Sequence, residues 1–178
     1  MIIQRTPLID GLPIDIEALS VHCRADNIPE FIPDLQRMAA AAALEFEAYA
    51  QIALLNQTVT VTLEARPSLS VFPLPVAPLF DPLLVDVTID GTPYDEFYVI
   101  AGLRPAVRFH AYRPCGVYVI EYTAGFGETP ADLPEDINNA IFDQASALFD
   151  MRGSEDGKTY GMSPHMARVA ARYRRVAL

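Results

Sequence analysis

GVYVIEYTAGFGETPADLPEDINNAIFDQASALFDMRG, residues 116–153, passes from a strand pattern to a helix pattern within one stretch. Residues 117–122 alternate with a period of two in β-branched and aromatic side chains, which is typical of a strand. Residues 124–130 contain two glycines and a proline, which favour turns and end the strand. From Pro134 the apolar residues recur with a helical period, over an arc too broad for a one-sided surface helix. We therefore predict a helix over residues 134–152 that is covered on two sides.

Three further helices are predicted from periodicity and from signals at their ends. They span residues 15–22, 33–50 and 164–175. Asp15 and Ser163 precede two of them, and the side chains of Asp and Ser are good acceptors for the free amides of a first helical turn. The residues before the first of these helices contain two prolines and a glycine and are predicted to be coil.

Residues 57–122 carry strand patterns and no convincing helix pattern. Valines alternate with threonines over residues 58–63, as in a half-buried strand. Asp90-Gly91 and residues 113–116 are predicted to be tight turns between consecutive strands, which would make an antiparallel meander. Residues 67–82 are rich in proline and are predicted to be an extended wrapping arm, because proline cannot donate to a strand ladder.

The predicted fold class is α+β, a small helical bundle with an inserted antiparallel β meander, in a single domain of 178 residues. Its parts are the helical residues 15–50 and 134–175, the β insertion 57–122 and the C-terminal arm 163–178. The longest uncharged run is broken by prolines, so we expect no membrane span. The N-terminal residues lack the pattern of a secretory signal, so we expect folding in a cytoplasm.

The formal net charge of −10 is distributed unevenly. The last twenty residues contain four arginines and no acidic residue, so the rest of the chain is more acidic than the total. An acidic body repels nucleic acid, whereas a basic tail favours an acidic partner.

A glycine loop after the long third helix has the wrong spacing for phosphate binding. Gly153 and Gly157 enclose three residues, whereas the phosphate-binding loop requires four between its glycines. Glu155 and Asp156 would also repel a phosphate group. We therefore predict no nucleotide binding, even though Lys158 follows the loop, and no cofactor.

The remaining reactive side chains form no catalytic motif in the sequence. His22, His110 and His165 are far apart along the chain, and His22 is interpreted as a surface or interface residue. The only cysteines, Cys23 and Cys115, lack metal-binding spacing, so no metal is predicted. The densest group of carboxylates is interpreted as stabilising the dipole of the helix that follows it, and it consists of Asp132, Glu135 and Asp136. We predict that the protein is not an enzyme.

Several short segments resemble the head-tail connector (adaptor) proteins of long-tailed phages and gene transfer agents. They are the Tyr122-x-x-Gly125 strand exit, the acidic-Leu133-Pro134 helix entry, the Met151-Arg152-Gly153 helix end and the closing Tyr173-Arg174-Arg175-Val176. The resemblance extends over nearly the full length in the order of elements, from a short N-terminal helix to a basic C-terminal tail.

The resemblance implies a structural virion assembly protein at the head-tail junction, made in the host cytoplasm. Such a connector forms a ring, dodecameric in the virion, that joins the DNA-filled head to the tail. Its implied partners are further copies of itself, the portal protein and a tail-side completion protein. DNA would pass through the ring without specific binding, and an acidic body is compatible with this because attraction to phosphates would add friction.

The resemblance also makes the basic tail a candidate partner interface, with the portal as its expected partner. Guanidinium groups suit bidentate pairing with carboxylates, and a hinge over residues 154–161 would let the helix leave its own subunit. The predicted interface residues are Arg168, Arg172, Tyr173, Arg174 and Arg175. The alternative is an ordinary terminal helix whose apolar side faces the protein's own core. The alternative function is a small cytoplasmic enzyme or ligand-binding module with a pocket between sheet and helices.

Overall fold

The computed structural model describes residues 1–26, 28–64, 70–110, 114–152 and 161–174. The chain divides into two compact units. The first unit comprises Met1–Asp10 and Leu55–Glu128, and the second comprises Gly11–Leu54 and Thr129–Leu178. Strands make up the first unit and helices the second, so the predicted α+β class is confirmed.

The elements are numbered in chain order. The strands are β1 Ile2–Pro7, β2 Gln57–Leu63, β3 Val71–Pro73, β4 Asp86–Ile89, β5 Thr92–Pro93, β6 Phe97–Ile100, β7 Ala106–Phe109 and β8 Tyr118–Ala124. The α-helices are α1 Ile16–His22, α2 Ile32–Ala50, α3 Glu135–Asp150 and α4 Pro164–Tyr173. Short 3₁₀ turns lie at Pro29–Phe31, Pro82–Leu84 and Pro130–Asp132.

Two antiparallel sheets form the first unit. One has five strands in the order β1-β2-β8-β4-β5, and the other has three in the order β3-β7-β6. In β2 the valines predicted to face inward are fully buried, and the threonines between them are half-buried. Val61 lies opposite Ile120 of β8, and both are fully buried, so the pair of β2 and β8 supplies the centre of this sheet.

The predicted meander is wrong, because consecutive strands are not consistently neighbours. The turn at Asp90-Gly91 does join a hairpin, between β4 and β5. The predicted hairpin at residues 113–116 is absent: β8 pairs with β2 and β4, whereas β7 pairs with β3 and β6. The seven residues of β8 find a full-length partner in β2, while β7 has only four residues to pair. Turn residues indicate where the chain bends and not which strands pair.

The N-terminal residues predicted to be coil form β1 instead. Six residues of β1 pair with β2 in antiparallel register, from Ile2 opposite Thr62 to Pro7 opposite Gln57. This pairing is between segments far apart in the chain, so local turn signals did not indicate it. Pro7 is tolerated because it lies at the end of an edge strand.

The proline-rich arm is attached to the first unit through Tyr122. Residues 70–82 contain β3, and Leu74 and Val76 beyond it are buried. The Tyr122 hydroxyl accepts a hydrogen bond from the Val76 amide at 3.0 Å and donates one to the Val76 carbonyl at 3.2 Å. Burial raises the pKa of this phenol, so the hydroxyl stays protonated and keeps both bonds. Residues 65–69 of the arm lie outside the described part of the chain.

Helix α3 is the centre of the second unit. It contacts α1, α2 and α4, which confirms that it is covered on more than one side. Its buried side chains include Ile137, Ile141 and Ala145, as the broad apolar arc indicates. Ala39 and other alanines of α2 are buried, and their small side chains occupy little volume. Among the described residues, none of the helices combines the length and apolarity needed to span a bilayer.

Gly125, at the end of the Tyr122-x-x-Gly125 segment, is a position where an added side chain would meet main-chain atoms. Its φ of +147° is unfavourable for other residues, and a Cβ there would lie 2.6 Å from both the amide nitrogen and Oδ1 of Asn56. We expect Gly125→Ala to lower the free energy of unfolding by about 2 kcal/mol or more in a denaturant titration. Gly11→Ala is the control, since nothing lies within 4 Å of that position, and it should change stability by less than about 0.5 kcal/mol. Equal effects of the two substitutions would contradict this account.

Candidate partner interface

Helix α4, which carries the predicted interface residues, is attached to the second unit by its apolar side. Met166, Val169 and Ala170 are buried, and the helix contacts α2 and α3. Ser163 caps it as predicted, since its Oγ accepts a hydrogen bond from the Met166 amide at 3.1 Å. The opposite side of α4 is polar and exposed. In this conformation the helix is therefore part of its own unit's core, and only its polar side is available to a partner.

A buried glutamine of α3 holds the start of α4. Gln144 is fully buried, and its Oε1 accepts a hydrogen bond from the Ser163 amide at 2.7 Å. Its Nε2 donates to the Gly161 carbonyl at 3.4 Å and to Glu45 of α2 at 3.3 Å. Without the side-chain amide of Gln144, its three partners would each lose a hydrogen bond, and buried polar groups need such bonds. Gln144 thus fixes the path of the chain into α4. The sequence offered no signal for this role, because a lone glutamine within a helix is usually exposed.

The end of α4 is joined to the start of α3 through Asp136. Arg172 donates to one carboxylate oxygen at 2.7 Å, and the Tyr173 hydroxyl donates to the other at 2.9 Å. Partial burial, together with the hydrogen bond to Asp136 and its negative charge, raises the pKa of Tyr173 to about 12. The phenol therefore remains a hydrogen-bond donor at neutral pH. Two of the five predicted interface residues are thus bound to Asp136.

The other predicted interface residues differ in their surroundings. The Arg174 guanidinium lies 5.1 Å from the centre of the Tyr49 ring, which is within cation–π range. Arg168 is exposed on the polar side of α4. Arg175 and most of the predicted hinge at residues 154–161 lie outside the described residues. Arg168 is therefore the predicted interface residue best placed to reach a partner while α4 stays packed.

Two histidines that are scattered in the sequence meet at one carboxylate. His165 Nδ1 lies 2.5 Å from one oxygen of Asp143, and His22 Nε2 lies 3.4 Å from the other. His22 is exposed, in agreement with its interpretation as a surface residue, and the fold brings the Asp143 carboxylate beside it. The two imidazoles link α1 and α4 to the same residue of α3. Burial raises the pKa of the neighbouring Cys23 thiol, which disfavours the reactive thiolate. The cluster therefore joins helices and has no activated cysteine beside it.

The carboxylates at the start of α3 have mainly structural contacts. Asp132 accepts hydrogen bonds from the Thr129 amide at 2.8 Å and from its hydroxyl at 2.9 Å, closing the turn that leads into α3. Asp136 holds Arg172, as described above. Across the described ranges, no group of three His, Cys, Asp or Glu side chains is arranged to bind a metal ion.

A groove of about 530 Å³ lies within the second unit beside the start of α3. Its lining includes Asp15, Glu135 and Phe142, with two asparagines and small residues between them. The Asp15 carboxylate already accepts hydrogen bonds from the Glu17 and Ala18 amides as a helix cap. No histidine or cysteine is among the described residues that line the groove. The polar groups of its lining are the carboxylates of Asp15 and Glu135, the amides of the two asparagines and the Thr129 hydroxyl.

Comparison with known proteins gives a structural likeness without a sequence likeness. No family profile matches the sequence, and no curated protein sequence matches it. A chain from a structure of the virion of a native gene transfer agent (GTA) particle is 24% identical, with a TM-score of 0.80 over 100% of this chain and 97% of that chain. The likeness shows the fold.

Two further structures give similar values. A chain in the neck of an empty GTA particle, computed with C6 symmetry, is 22% identical with a TM-score of 0.78, over 100% of this chain and 97% of that chain. A chain in the neck of a native GTA particle, computed with C12 symmetry, is 22% identical with a TM-score of 0.77 over the same shares. The whole order of elements is therefore common to these chains and to this protein.

Replacing Gln144 tests how α4 is held. Gln144→Ala would leave the Ser163 amide and the Gly161 carbonyl without their partner, so we expect a loss of about 1–3 kcal/mol in the free energy of unfolding. The rate of amide hydrogen exchange should increase more in α4 than in α2. Gln36→Ala, at an exposed position on α2, is the control and should leave both measurements unchanged. Slow exchange in α4 of the Gln144→Ala variant would argue against this role.

Proposed function

We propose that this protein is a structural component of the neck of a phage-like particle, with the role of a head-tail connector. The observation that carries the proposal is the match of the complete chain, at a TM-score of 0.80, to a chain of a gene transfer agent virion. Two of the similar chains come from particle necks. The segments that resemble connector proteins are independent of these comparisons, because they were identified in the sequence.

The proposed assembly is a ring of identical copies, located at the head-tail junction of the particle. The symmetries of the two similar neck structures, C6 and C12, support a ring with rotational symmetry. The portal protein and a tail-side completion protein are its proposed partners. The net charge of −10 suits the wall of a channel through which DNA passes without binding. Binding to DNA requires basic side chains that replace the counterions of the phosphates, and an excess of acidic side chains opposes this.

The proposed role requires no catalysis. Asp143 and its two histidines link three helices. A structural protein needs surfaces that recognise partners instead of a reactive centre.

The polar side of α4 is the proposed surface for the portal. Arg172 and Tyr173 hold the helix in place through Asp136, and Arg168 extends from the same helix into solvent. A helix anchored by one set of residues can present another set in a defined direction. We propose that Arg168 pairs with a carboxylate of the partner, as guanidinium groups do at interfaces.

The direct test is removal of the gene from the organism that encodes the chain, followed by electron microscopy of its particles. We expect filled or empty heads and separate tails, and restoration of joined particles by a plasmid copy of the gene. An antibody against the protein should label the neck of joined particles. Normal joined particles in the deletion strain would refute the proposed function.

A charge reversal at Arg168 tests the portal surface. Arg168→Glu should reduce the yield of joined particles at least about tenfold, since one charged pair at an interface is replaced by a repulsion. The melting temperature of the purified variant should stay within a few degrees of the original, because the side chain is exposed. Arg104→Glu, at an exposed position of the first unit, is the matched control. Equal yields from the two variants would exclude Arg168 from the interface.

A further inference from the structure

The first unit has one long sheet edge that is uncovered. β1 is the terminal strand of the five-stranded sheet, and within the described residues no strand lies beyond it. All six of its residues are exposed, including Ile2 at 53% and Ile3 at 41%. Val61, directly opposite Ile3 on β2, is 0% exposed. The sheet is therefore buried at β2, whereas β1, its next strand, is exposed to solvent.

The opposite edge of the same sheet is protected in the usual ways. β5 has two residues, and one of them is Pro93, so it offers little main chain for pairing. β1 has six residues and two consecutive isoleucines at its start. Long exposed edges are templates for the addition of another strand. β1 therefore lacks the protection that β5 has.

The hydrogen-bond pattern identifies which main-chain groups of β1 point outward. The Asp90 amide donates to the Val117 carbonyl. The main-chain amides and carbonyls of the odd-numbered residues of β8 therefore point toward β4, and those of the even-numbered residues point toward β2. The main-chain groups of β2 alternate in the same way between β8 and β1. The amides and carbonyls of Ile2, Gln4 and Thr6 therefore point toward β2. The Leu8 amide donates to the Asn56 carbonyl at 3.2 Å, which agrees with this parity. The amide and carbonyl of Ile3 therefore face away from the sheet.

A second exposed edge lies at the other end of the first unit. β6 is the terminal strand of the three-stranded sheet, and Tyr98 and Ile100 on it are exposed. Only residues 94–96 separate it from β5, so β6 lies near the end of the five-stranded sheet that is opposite β1. The His110 amide donates to the Glu96 carbonyl at 3.0 Å, and by alternation the main chain of Val99 faces away from β7.

We propose that β1 of one copy pairs with β6 of a second copy, extending the sheet across the subunit boundary. This inference rests on the proposed function, because a ring of identical copies requires two different surfaces that face opposite ways. β1 and β6 meet this requirement: both are edge strands, the main chains of Ile3 and Val99 face away from their sheets, and the two strands lie at opposite ends of one unit. Addition of a strand to an exposed edge is a common mode of recognition, in which main-chain hydrogen bonds supply the affinity.

Proline substitutions at outward-facing positions test this pairing while leaving the hydrogen bonds within each sheet in place. Ile3→Pro removes an amide that faces outward and leaves the amides that bond to β2. Val99→Pro removes the corresponding amide of β6. Ile3→Val and Val99→Ile are the matched controls, since they keep the amide. We expect the wild-type protein and both controls to associate in a concentration series followed by sedimentation velocity. Each proline variant should associate about tenfold more weakly, because the outward amide is lost and its acceptor on the other copy is left without a donor.

Circular dichroism melts show whether the proline variants are folded. If a proline variant unfolds, amide hydrogen exchange of the wild-type protein decides instead: the Ile3 and Val99 amides should exchange more slowly at high protein concentration than at low concentration. The inference is overturned if a folded Ile3→Pro variant associates like the wild type, if those amides show no protection, or if the wild-type protein stays monomeric throughout the series.

Particles distinguish this inference from the proposed function. If particles made with Ile3→Pro contain normal necks with the protein in place, the pairing of β1 with β6 is wrong and the proposed function stands. If the wild-type protein is absent from purified particles, the proposed function is wrong, whatever the solution experiments give.

Discussion

The antiparallel pairing of β2 with β8 is the constraint on which the first unit depends. β8 gains its other neighbour, β4, and β2 gains β1, only because these two strands lie at the centre. At the end of β8, Tyr122 holds the proline-rich arm through both main-chain groups of Val76, and Gly125 lies against Asn56 where no side chain would fit. One seven-residue strand, β8, thus positions the arm and the exit of the chain toward α3, while β2 positions the edge strand β1.

In the second unit, α3 has the corresponding role, and polar side chains do much of the positioning. Gln144 fixes the entry to α4, Asp143 meets histidines from α1 and α4, and Asp136 holds the last turn of α4. Buried or half-buried polar contacts require defined geometry, so they specify where a helix lies more narrowly than apolar contact alone. The basic helix is consequently held in one orientation. This is useful for a helix whose polar side is proposed to recognise another protein.

The proposed connector has several kinds of surface with separate tasks. Main-chain edges suit pairing between identical copies, because a strand edge is directional and the same in every subunit. Exposed guanidinium groups suit a different partner, because charge pairing provides specificity with little dependence on shape. An acidic body suits DNA that must move past it. The proposed ring would combine these three properties, and none of them requires a catalytic residue.

The sequence by itself determined the elements that depend on local pattern. All four helices lie close to their predicted positions, and so do the caps at Asp15 and Ser163 and the hairpin turn at Asp90-Gly91, because periodicity and capping act over a few residues. Tertiary structure alone decided that residues 2–7 form a strand, that β7 and β8 separate into two sheets, and that His22 and His165 share Asp143. Each of these joins segments distant in the chain, and such contacts depend on which strands and helices bury each other's faces. No window of the sequence contains that information, because the free energy of burial belongs to the pair of segments and to neither one alone.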